Sequence, residues 1–392
     1  MYKRGKSNLE KPCKLPTILR IANSIGETSA PYNQFSLALI GKYDLTICTY
    51  FKSNLLVPKE IKLFEGNGSL TGFFRVLVAA LREKEYDIIH VHSLEAGILF
   101  LLATLFKDRK LLSSTVFTVH NAYSNFKLKK KLMLIPIFVF FRTLVCCSQS
   151  SFESFPGFFK WLAGDRLCAV QNGVDIDRID RIIGTRHQKI RNDNFTILAV
   201  GRLIQIKNVL TLLNAFHKSD KHLESILMFI GEGVLRDSLL EKRKSLDLGK
   251  QVELVGLIPR EKVYQKLSEA DLFISTSWGE GLPIAVLEAM ACGCPVVLSD
   301  ISPHREIAEG IDFIPLIRPD DVEGFTQEIN RFRKMSTSVR KEIGEECRKL
   351  VEEKFSLTAM YRGYKVRYNK LLGDINSGQG LHGETNTSDF SR

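Results

Sequence analysis

Asp271-Leu-Phe-Ile-Ser-Thr-Ser-Trp-Gly-Glu280-Gly-Leu-Pro-Ile-Ala-Val-Leu-Glu288 reads as a strand, a turn and a helix. Leu272 to Ile274 form a short apolar run of strand type, followed by small hydroxyl residues. Trp278, Gly279, Gly281 and Pro283 have turn chemistry, and Ile284 to Cys292 has helical composition. Glu280 therefore falls on a loop at a strand's carboxyl end, and Glu288 on the helix that follows. Backbone N–H groups at such a helix start attract an anion such as a diphosphate. One carboxylate beside that anion can hold sugar hydroxyls, and the other a ribose. An ordinary strand-loop-helix with two exposed glutamates fits this stretch equally well.

The surrounding sequence repeats the pattern. In the second half, Phe195–Val200, Ser225–Ile230, Gln251–Val255, Leu272–Thr276, Pro295–Ser299 and Phe313–Pro315 read as strands, with helical stretches between them. The first half alternates likewise, with strands expected at Thr17–Ala22, Asp44–Tyr50, Asp87–His92, Thr115–His120, Thr143–Ser148 and Leu167–Gln171. Alternation of this kind argues for βαβ units around parallel sheets. The expected fold class is α/β, with two Rossmann-like doubly wound domains facing a central cleft. The polar, basic stretch from Arg178 to Asn194 marks the boundary. The expected domains are residues 1–185 and 186–372, with a final helix able to pack back on the first domain. Residues 373–392, rich in Gly, Ser, Asn and Thr, read as a disordered tail.

A chain of 392 residues, 44% hydrophobic and 25% charged, has the composition of a globular protein of two domains. Its eight cysteines form no CxxC pair, and several sit in apolar strand-like runs, which fits a reducing cytosol. The net charge of +11 is uneven. Residues 1–172 hold 23 Lys+Arg against 12 Asp+Glu, whereas the remainder holds 32 of each. The basic half suggests an anionic partner, or simply a solvated basic face. The polar N-terminus does not read as a signal peptide, and no apolar run is long enough for a membrane-spanning helix.

Several motifs carry candidate chemistry. After the first strand stands Asn23-Ser-Ile-Gly26-Glu-Thr-Ser-Ala-Pro31, with one glycine where a dinucleotide fingerprint needs three, and no phosphate-binding GxxxxGK[ST] occurs. Hydride transfer and NTP hydrolysis are thereby disfavoured. Gly201-Arg202-Leu-Ile-Gln-Ile-Lys207 follows a strand and enters a helix, so its two cations can clamp a diphosphate. Gly231-Glu-Gly233 ends the next strand; it permits close ligand approach, and a tight strand-to-helix connection explains it as well. Leu254-Val-Gly-Leu-Ile258-Pro259 has a backbone that can meet a base edge, or is a plain turn. His120, at a strand's carboxyl end, can donate to a substrate hydroxyl or neutralise a phosphate, although a hydrogen-bonded core histidine is the commoner case. His90 and His92 share one strand face but lack a visible third metal ligand, and Asp175-Ile-Asp177 fits a solvated turn better than a metal-binding DxD. Lys127-Leu-Lys-Lys-Lys131 runs into the apolar stretch Leu132–Phe141, which fits either an anionic membrane surface or a buried helix with a cationic start.

Together these motifs resemble glycosyltransferase family 4, which has the GT-B fold. The resemblance covers most of residues 17–370. It rests on the order and spacing of Val200-Gly-Arg202-Leu with Lys207, Gly231-Glu-Gly233, Leu254-Val-Gly256, Ala270-Asp-Leu-Phe-Ile-Ser-Thr-Ser277, the Glu280/Glu288 pair, Pro295-Val-Val-Leu-Ser-Asp300 and His304-Arg-Glu306. It implies a retaining transferase (EC 2.4) that uses a UDP- or GDP-sugar, with no cofactor and no essential metal. Arg202 and Lys207 would neutralise the diphosphate, Glu280 would hold donor-sugar hydroxyls, Glu288 the ribose, and His120 would sit near the sugar. Gly201, Gly231, Gly233, Ile258, Gly281, Leu282, Pro283 and Ile284 would bind substrate, and so would Gly26, near the phosphate or the acceptor. The single Gly26 departs from the paired glycines common in the family's first loop, and Ser299-Asp-Ile-Ser-Pro-His-Arg-Glu306 replaces a glycine-rich stretch. The expected acceptor is a glycan or lipid-linked glycan in cell-surface polysaccharide biosynthesis such as lipopolysaccharide or capsule. The expected location is cytoplasmic, peripheral at the membrane's inner face through the basic half, with no nucleic-acid partner. A non-catalytic nucleotide-sugar-binding or scaffold protein of the same fold is the alternative.

Overall fold

The computed structural model describes residues 15–26, 29–53, 55–105, 109–184, 194–220 and 224–380. The first sheet comprises β1 (Thr17–Ala22), β2 (Asp44–Thr49), β3 (Ile61–Glu65), β4 (Ile88–Val91), β5 (Thr115–Val119), β6 (Thr143–Cys146) and β7 (Leu167–Ala169). The second comprises β8 (Phe195–Val200), β9 (Ser225–Ile230), β10 (Val252–Gly256), β11 (Leu272–Ser275), β12 (Val296–Ser299) and β13 (Leu316–Ile317). Strand orders are β3-β2-β1-β4-β5-β6-β7 and β10-β9-β8-β11-β12-β13. Every strand pairing described within them is parallel. The doubly wound α/β class expected from the alternation is what forms.

The chain divides into two compact units, one running to Val116 and resuming at Leu371, the other running from Phe117 to Lys370. Within the second unit, successive residues of β8 point to opposite faces, as the pleat requires. Ile197 joins a buried cluster with Phe229, Leu272, Ile274 and Val297, while Leu198 joins another with Ile230, Phe273, Leu287 and Met290. Helices cover both faces, so the strands read as continuous apolar runs, which is why they are recognisable in the sequence. Two strands differ from expectation. β3, Ile-Lys-Leu-Phe-Glu, sits at the edge of the first sheet, where exposed positions take charges and blur the apolar signal. β13 is a two-residue edge strand at Leu316–Ile317, just after the expected Phe313–Pro315.

Chain return also lies within the second unit. Val174 N–H donates to Phe355 O (2.9 Å), Leu357 N–H to Val174 O (2.9 Å), and Tyr364 OH pairs with Thr118 Oγ1 (2.9 Å). The last helix, Leu357–Gly380, continues past Gly373; residues 381–392 of the expected tail and 185–193 of the expected boundary lie outside the described residues.

Candidate active site at the carboxyl ends of β8 and β11

The chain enters the second sheet at β8, winds outward to β9 and β10, then returns to lay β11 against β8, with Leu272 opposite Ile197. The strand order reverses between β8 and β11, and in open α/β sheets ligands bind at the carboxyl ends beside such a reversal. The loops emerging there carry Lys207 and Glu280.

After β8, a single 3-10 turn at Gln205–Lys207 leads into the helix Val209–Lys218. Asn208 joins them in the left-handed region, φ 50°, a conformation asparagine tolerates better than most residues. Its side chain donates to Pro319 O (2.7 Å), and Thr276 Oγ1 donates to Asn208 O (2.9 Å). Trp278 N–H donates to Ile206 O (2.9 Å). The two loops are thus fixed to one another, and Lys207 Nζ donates to Glu280 Oε1 at 2.5 Å. Ser277 Oγ donates to the same oxygen (2.7 Å). Burial alone would raise the Glu280 carboxyl's pKa, but Lys207 outweighs it with help from His304 and Ser277, and the group is held below the usual carboxylate range. Oε2 of Glu280 accepts no hydrogen bond among the described residues, which leaves an acceptor for a ligand hydroxyl.

His304 lies behind this pair and has no solvent exposure. Its Nδ1 donates to Ser299 O (2.7 Å), and Ser299 Oγ donates to Ser277 O (2.6 Å). Burial, only partly opposed by the Glu280 charge, pushes the imidazole from 6.5 to about 4. The ring is therefore neutral at pH 7, with its proton on Nδ1 and a bare lone pair on the buried Nε2. The unfolded chain gains a proton near 6.5 that the folded chain refuses until about 4. Stability is fully present above the upper value and falls as pH drops through this window, by at most about 3 kcal/mol for this group. His120, pushed by burial to about 4, adds to the same slope. Denaturation curves from pH 7.5 to 4 should show a shallower decline for His304→Asn than for the parent; an unchanged slope would remove His304 from this account.

The backbone of the Glu280 loop is held separately. Asn125 Nδ2 donates to Glu280 O (3.1 Å), Ser148 Oγ to Gly281 O (3.2 Å) and Asn172 Nδ2 to Leu282 O (3.5 Å). Three side chains thus grip three successive carbonyls. A Cβ on Gly281 would lie 2.3 Å from the backbone His120 O, so glycine is required there, and one on Gly279 would lie 2.4 Å from Asn125 Oδ1 and displace that side chain. The same contact brings His120 beside the loop. Leu282 and Pro283 are buried, and the helix Ile284–Ala291 starts immediately after.

Glu288, on that helix, is only 3% exposed. Its Oε1 accepts from Arg260 Nη1 (2.9 Å) and Tyr264 OH (3.1 Å). Burial raises its carboxyl, and Arg260, Tyr264 and Arg178 only partly offset this. Sequence reasoning missed Arg260 and Tyr264, and it had no means of pairing residues so far apart in the chain. It missed Asn125, Ser148 and Asn172 for the same reason, and it read Ser277, three positions before Glu280, only as the polar end of a strand. Arg202 is exposed and its side chain makes no hydrogen bond or ion pair among the described residues, so its guanidinium is available to a ligand. Gly231 and Gly233 have a packing explanation: added Cβ atoms would lie 2.0 Å from Gly201 O and 2.3 Å from Leu203 O. Ile258 is half-buried against the core. Gly26 belongs to the other unit, where its carbonyl accepts from Ser29 N–H (3.0 Å). The His90 and His92 rings, also in that unit, stack at 4.0 Å and both present a nitrogen to Arg20, a cation that would repel a metal ion. Asp175 Oδ1 caps a helix by accepting from Arg178 N–H (3.0 Å), which is the turn reading of that acidic pair.

Two family descriptions match this chain in series, Glycosyltransferase Family 4 over residues 44–178 and Glycosyl transferases group 1 over 183–350. The chain is a family 4 glycosyltransferase. The glycosyltransferase is 26% identical over 324 residues to the Escherichia coli UDP-Gal:alpha-D-GlcNAc-diphosphoundecaprenol alpha-1,3-galactosyltransferase, covering 77% of this chain and 81% of that protein. A Campylobacter jejuni N-acetylgalactosaminyltransferase acting on a diphospho-undecaprenol-linked acceptor is 34% identical over 157 residues, covering 40% of this chain and 41% of that one. Among solved structures, Anabaena HepE in complex with UDP and glucose superposes with a TM-score of 0.73 at 18% identity, covering 90% of this chain and 100% of HepE. Thermosynechococcus elongatus sucrose-phosphate synthase gives 0.76 at 16% identity, covering 92% of this chain and 100% of that one. The fold of this glycosyltransferase is GT-B, as the motif series implied.

Proposed function

We propose that this enzyme transfers a sugar, with retention, from a nucleotide-diphosphate sugar to a lipid-linked glycan in cell-surface polysaccharide biosynthesis. The observation that carries the reading is the Lys207–Glu280 pair at the reversal between β8 and β11, with Arg202 exposed on the same loop as Lys207. As the bond from the sugar's anomeric carbon to the diphosphate breaks, the leaving oxygen takes the electron pair. Arg202 and Lys207 neutralise that growing charge, as oxyanion donors do elsewhere. The acceptor hydroxyl oxygen bonds to the anomeric carbon and gives up its proton to the departing diphosphate. Glu280 orients the sugar through Oε2, Glu288 holds the ribose, and His120 lies against the donor. Backbone approach at Gly201, Gly231, Gly233, Ile258 and Gly281 to Ile284 shapes the donor pocket.

UDP is the favoured nucleotide because HepE was solved with UDP-glucose and the Escherichia coli relative is named for UDP-Gal; a GDP donor is the other option, since a Komagataeibacter xylinus relative is named for GDP-mannose. A lipid-linked acceptor follows from the diphosphoundecaprenol and diphosphopolyprenol acceptors in relatives' names. Such an acceptor sets the work at a membrane's inner surface, with the protein itself cytoplasmic. Two Rossmann-like domains, 1–185 and 186–372, are supported by the gap between β7 and β8, where one sheet ends and the other begins.

A panel of UDP- and GDP-sugars should raise the thermal midpoint for one donor, since a ligand at 100 times its Kd stabilises by about 2.7 kcal/mol. With that donor and polyprenyl-diphosphate acceptors, nucleotide release should follow. Donor binding with no transfer to any acceptor would favour the non-catalytic alternative, and no stabilisation by any nucleotide sugar would refute the reading.

A further inference from the structure

Trp278 stands two residues before Glu280, on the loop that follows β11. Its backbone N–H donates to Ile206 O (2.9 Å), and its indole Nε1–H donates to Asp320 Oδ1 (2.7 Å). Asp320 follows β13, and the carbonyl before it, Pro319 O, accepts from Asn208 Nδ2 (2.7 Å). Backbone and indole are therefore both held, across the loops after β8, β11 and β13. The side chain is nevertheless 40% exposed, and its ring makes no aromatic or cation contact among the described residues. A lone exposed apolar side chain needs no explanation on an ordinary surface. This one is fixed in orientation and stands beside the candidate site. A strap between loops needs only the N–H donors; it has no use for an open indole face.

The electron-rich face of an indole attracts C–H groups, which are weak hydrogen-bond donors. A pyranose presents a face of such C–H groups, bordered by hydroxyls. A carboxylate acceptor for those hydroxyls stands at the indole's edge. Asp320 Oδ1 takes the indole proton, and its Oδ2 accepts no hydrogen bond among the described residues. The same negative charge disfavours a phosphate beside the ring, so the matching ligand is a sugar and not the diphosphate. Position separates this sugar from the donor. β10 and β13 are opposite edges of the sheet. In the proposed reading the nucleotide lies along the loops after β8, β9 and β10, with its sugar at Glu280. Asp320 draws the indole the other way, toward the β13 edge, on the far side of the donor from its base. A pyranose on that side belongs to the acceptor.

We propose that Trp278 and Asp320 form an acceptor-sugar subsite: the indole face stacks on the C–H face of a pyranose, and Asp320 Oδ2 accepts from one of its hydroxyls. It rests on the reading that this site transfers a sugar to a glycan. Saccharide binding requires no turnover, so the two can fail separately. In a Trp161→Phe background Trp278 is the sole tryptophan. Of the methyl glycosides of glucose, galactose and N-acetylglucosamine, at least one should change its emission and shield it from acrylamide, while UDP and GDP alone should not. A glycoside response without stabilisation by any nucleotide sugar would sink the transfer reading and keep the subsite. With a donor and acceptor that support transfer, Trp278→Ala should raise the acceptor KM roughly tenfold, near the upper range for aromatic stacking, and leave the donor KM unchanged. Trp278→Phe keeps a ring and loses the bond to Asp320, and should recover most of that loss. Asp320→Ala should raise the acceptor KM by a smaller factor. A loop strap predicts another pattern: both alanine variants lower kcat and the unfolding midpoint, the acceptor KM stays put, and phenylalanine is no better than alanine. That pattern would overturn the proposal. So would emission indifferent to every glycoside, a response to UDP or GDP alone, or a rise in the donor KM in place of the acceptor's.

Discussion

Replacing Lys207 with alanine should lower kcat/KM for sugar transfer by about two to three orders of magnitude, the range for removing one preorganised donor to a developing negative charge. Lys207 has two tasks in this geometry. It faces the expected diphosphate position, and it fixes Glu280 through the 2.5 Å bond to Oε1. Glu280→Gln keeps the hydrogen-bonding shape and removes the charge, so it isolates the second task. If Lys207 acted only by orienting Glu280, the double variant would be no worse than either single one. If it also neutralises the leaving group, Lys207→Ala will exceed Glu280→Gln, and the double-mutant cycle will show partial coupling. Arg202→Ala is the cleaner probe, because an exposed guanidinium with no bond or ion pair among the described residues can be removed without disturbing the fold. It should lower turnover without changing the unfolding midpoint. Unchanged turnover in both Arg202→Ala and Lys207→Ala, measured as nucleotide release with saturating donor and acceptor, would contradict the phosphate clamp.

What the sequence could reveal follows from what each interaction depends on. Strands buried on both faces, such as Phe195–Val200 and Ser225–Ile230, carry an uninterrupted apolar signal, and the structure has them at the expected bounds. Lys207 and Glu280 sit on loops after such strands, so their convergence follows from β8 lying beside β11. Edge strand β3 carries charges and was not legible. Nor were the side chains that hold Glu280 in place. Asn125 and Ser148 act on backbone carbonyls of residues more than a hundred positions away, and no local pattern encodes such a bond. The glutamate on the helix illustrates the remaining limit. The family resemblance implies a ribose holder, while the structure adds a buried arginine and tyrosine on one of its oxygens.

Those partners give Glu288 a structural task that its proposed ligand role does not contain. Glu288→Ala should destabilise the protein by about 3–5 kcal/mol, because it removes the carboxylate to which buried Arg260 donates. Burial raises the Glu288 carboxyl in spite of Arg260, so the pair does not fully repay the desolvation of its charges. Apolar replacement of both partners is then expected to be much milder than loss of one. Arg260→Met with Glu288→Leu should therefore recover most of the stability lost in Glu288→Ala. Urea unfolding of the three variants measures this, since midpoint shifts at constant slope report stability directly. Donor binding separates the tasks. A ribose holder cannot be replaced by leucine, so the double variant should fold well and still bind the nucleotide sugar poorly. Recovery of both stability and donor affinity would confine Glu288 to the core, whereas a fold-neutral Glu288→Ala would contradict the buried pair itself.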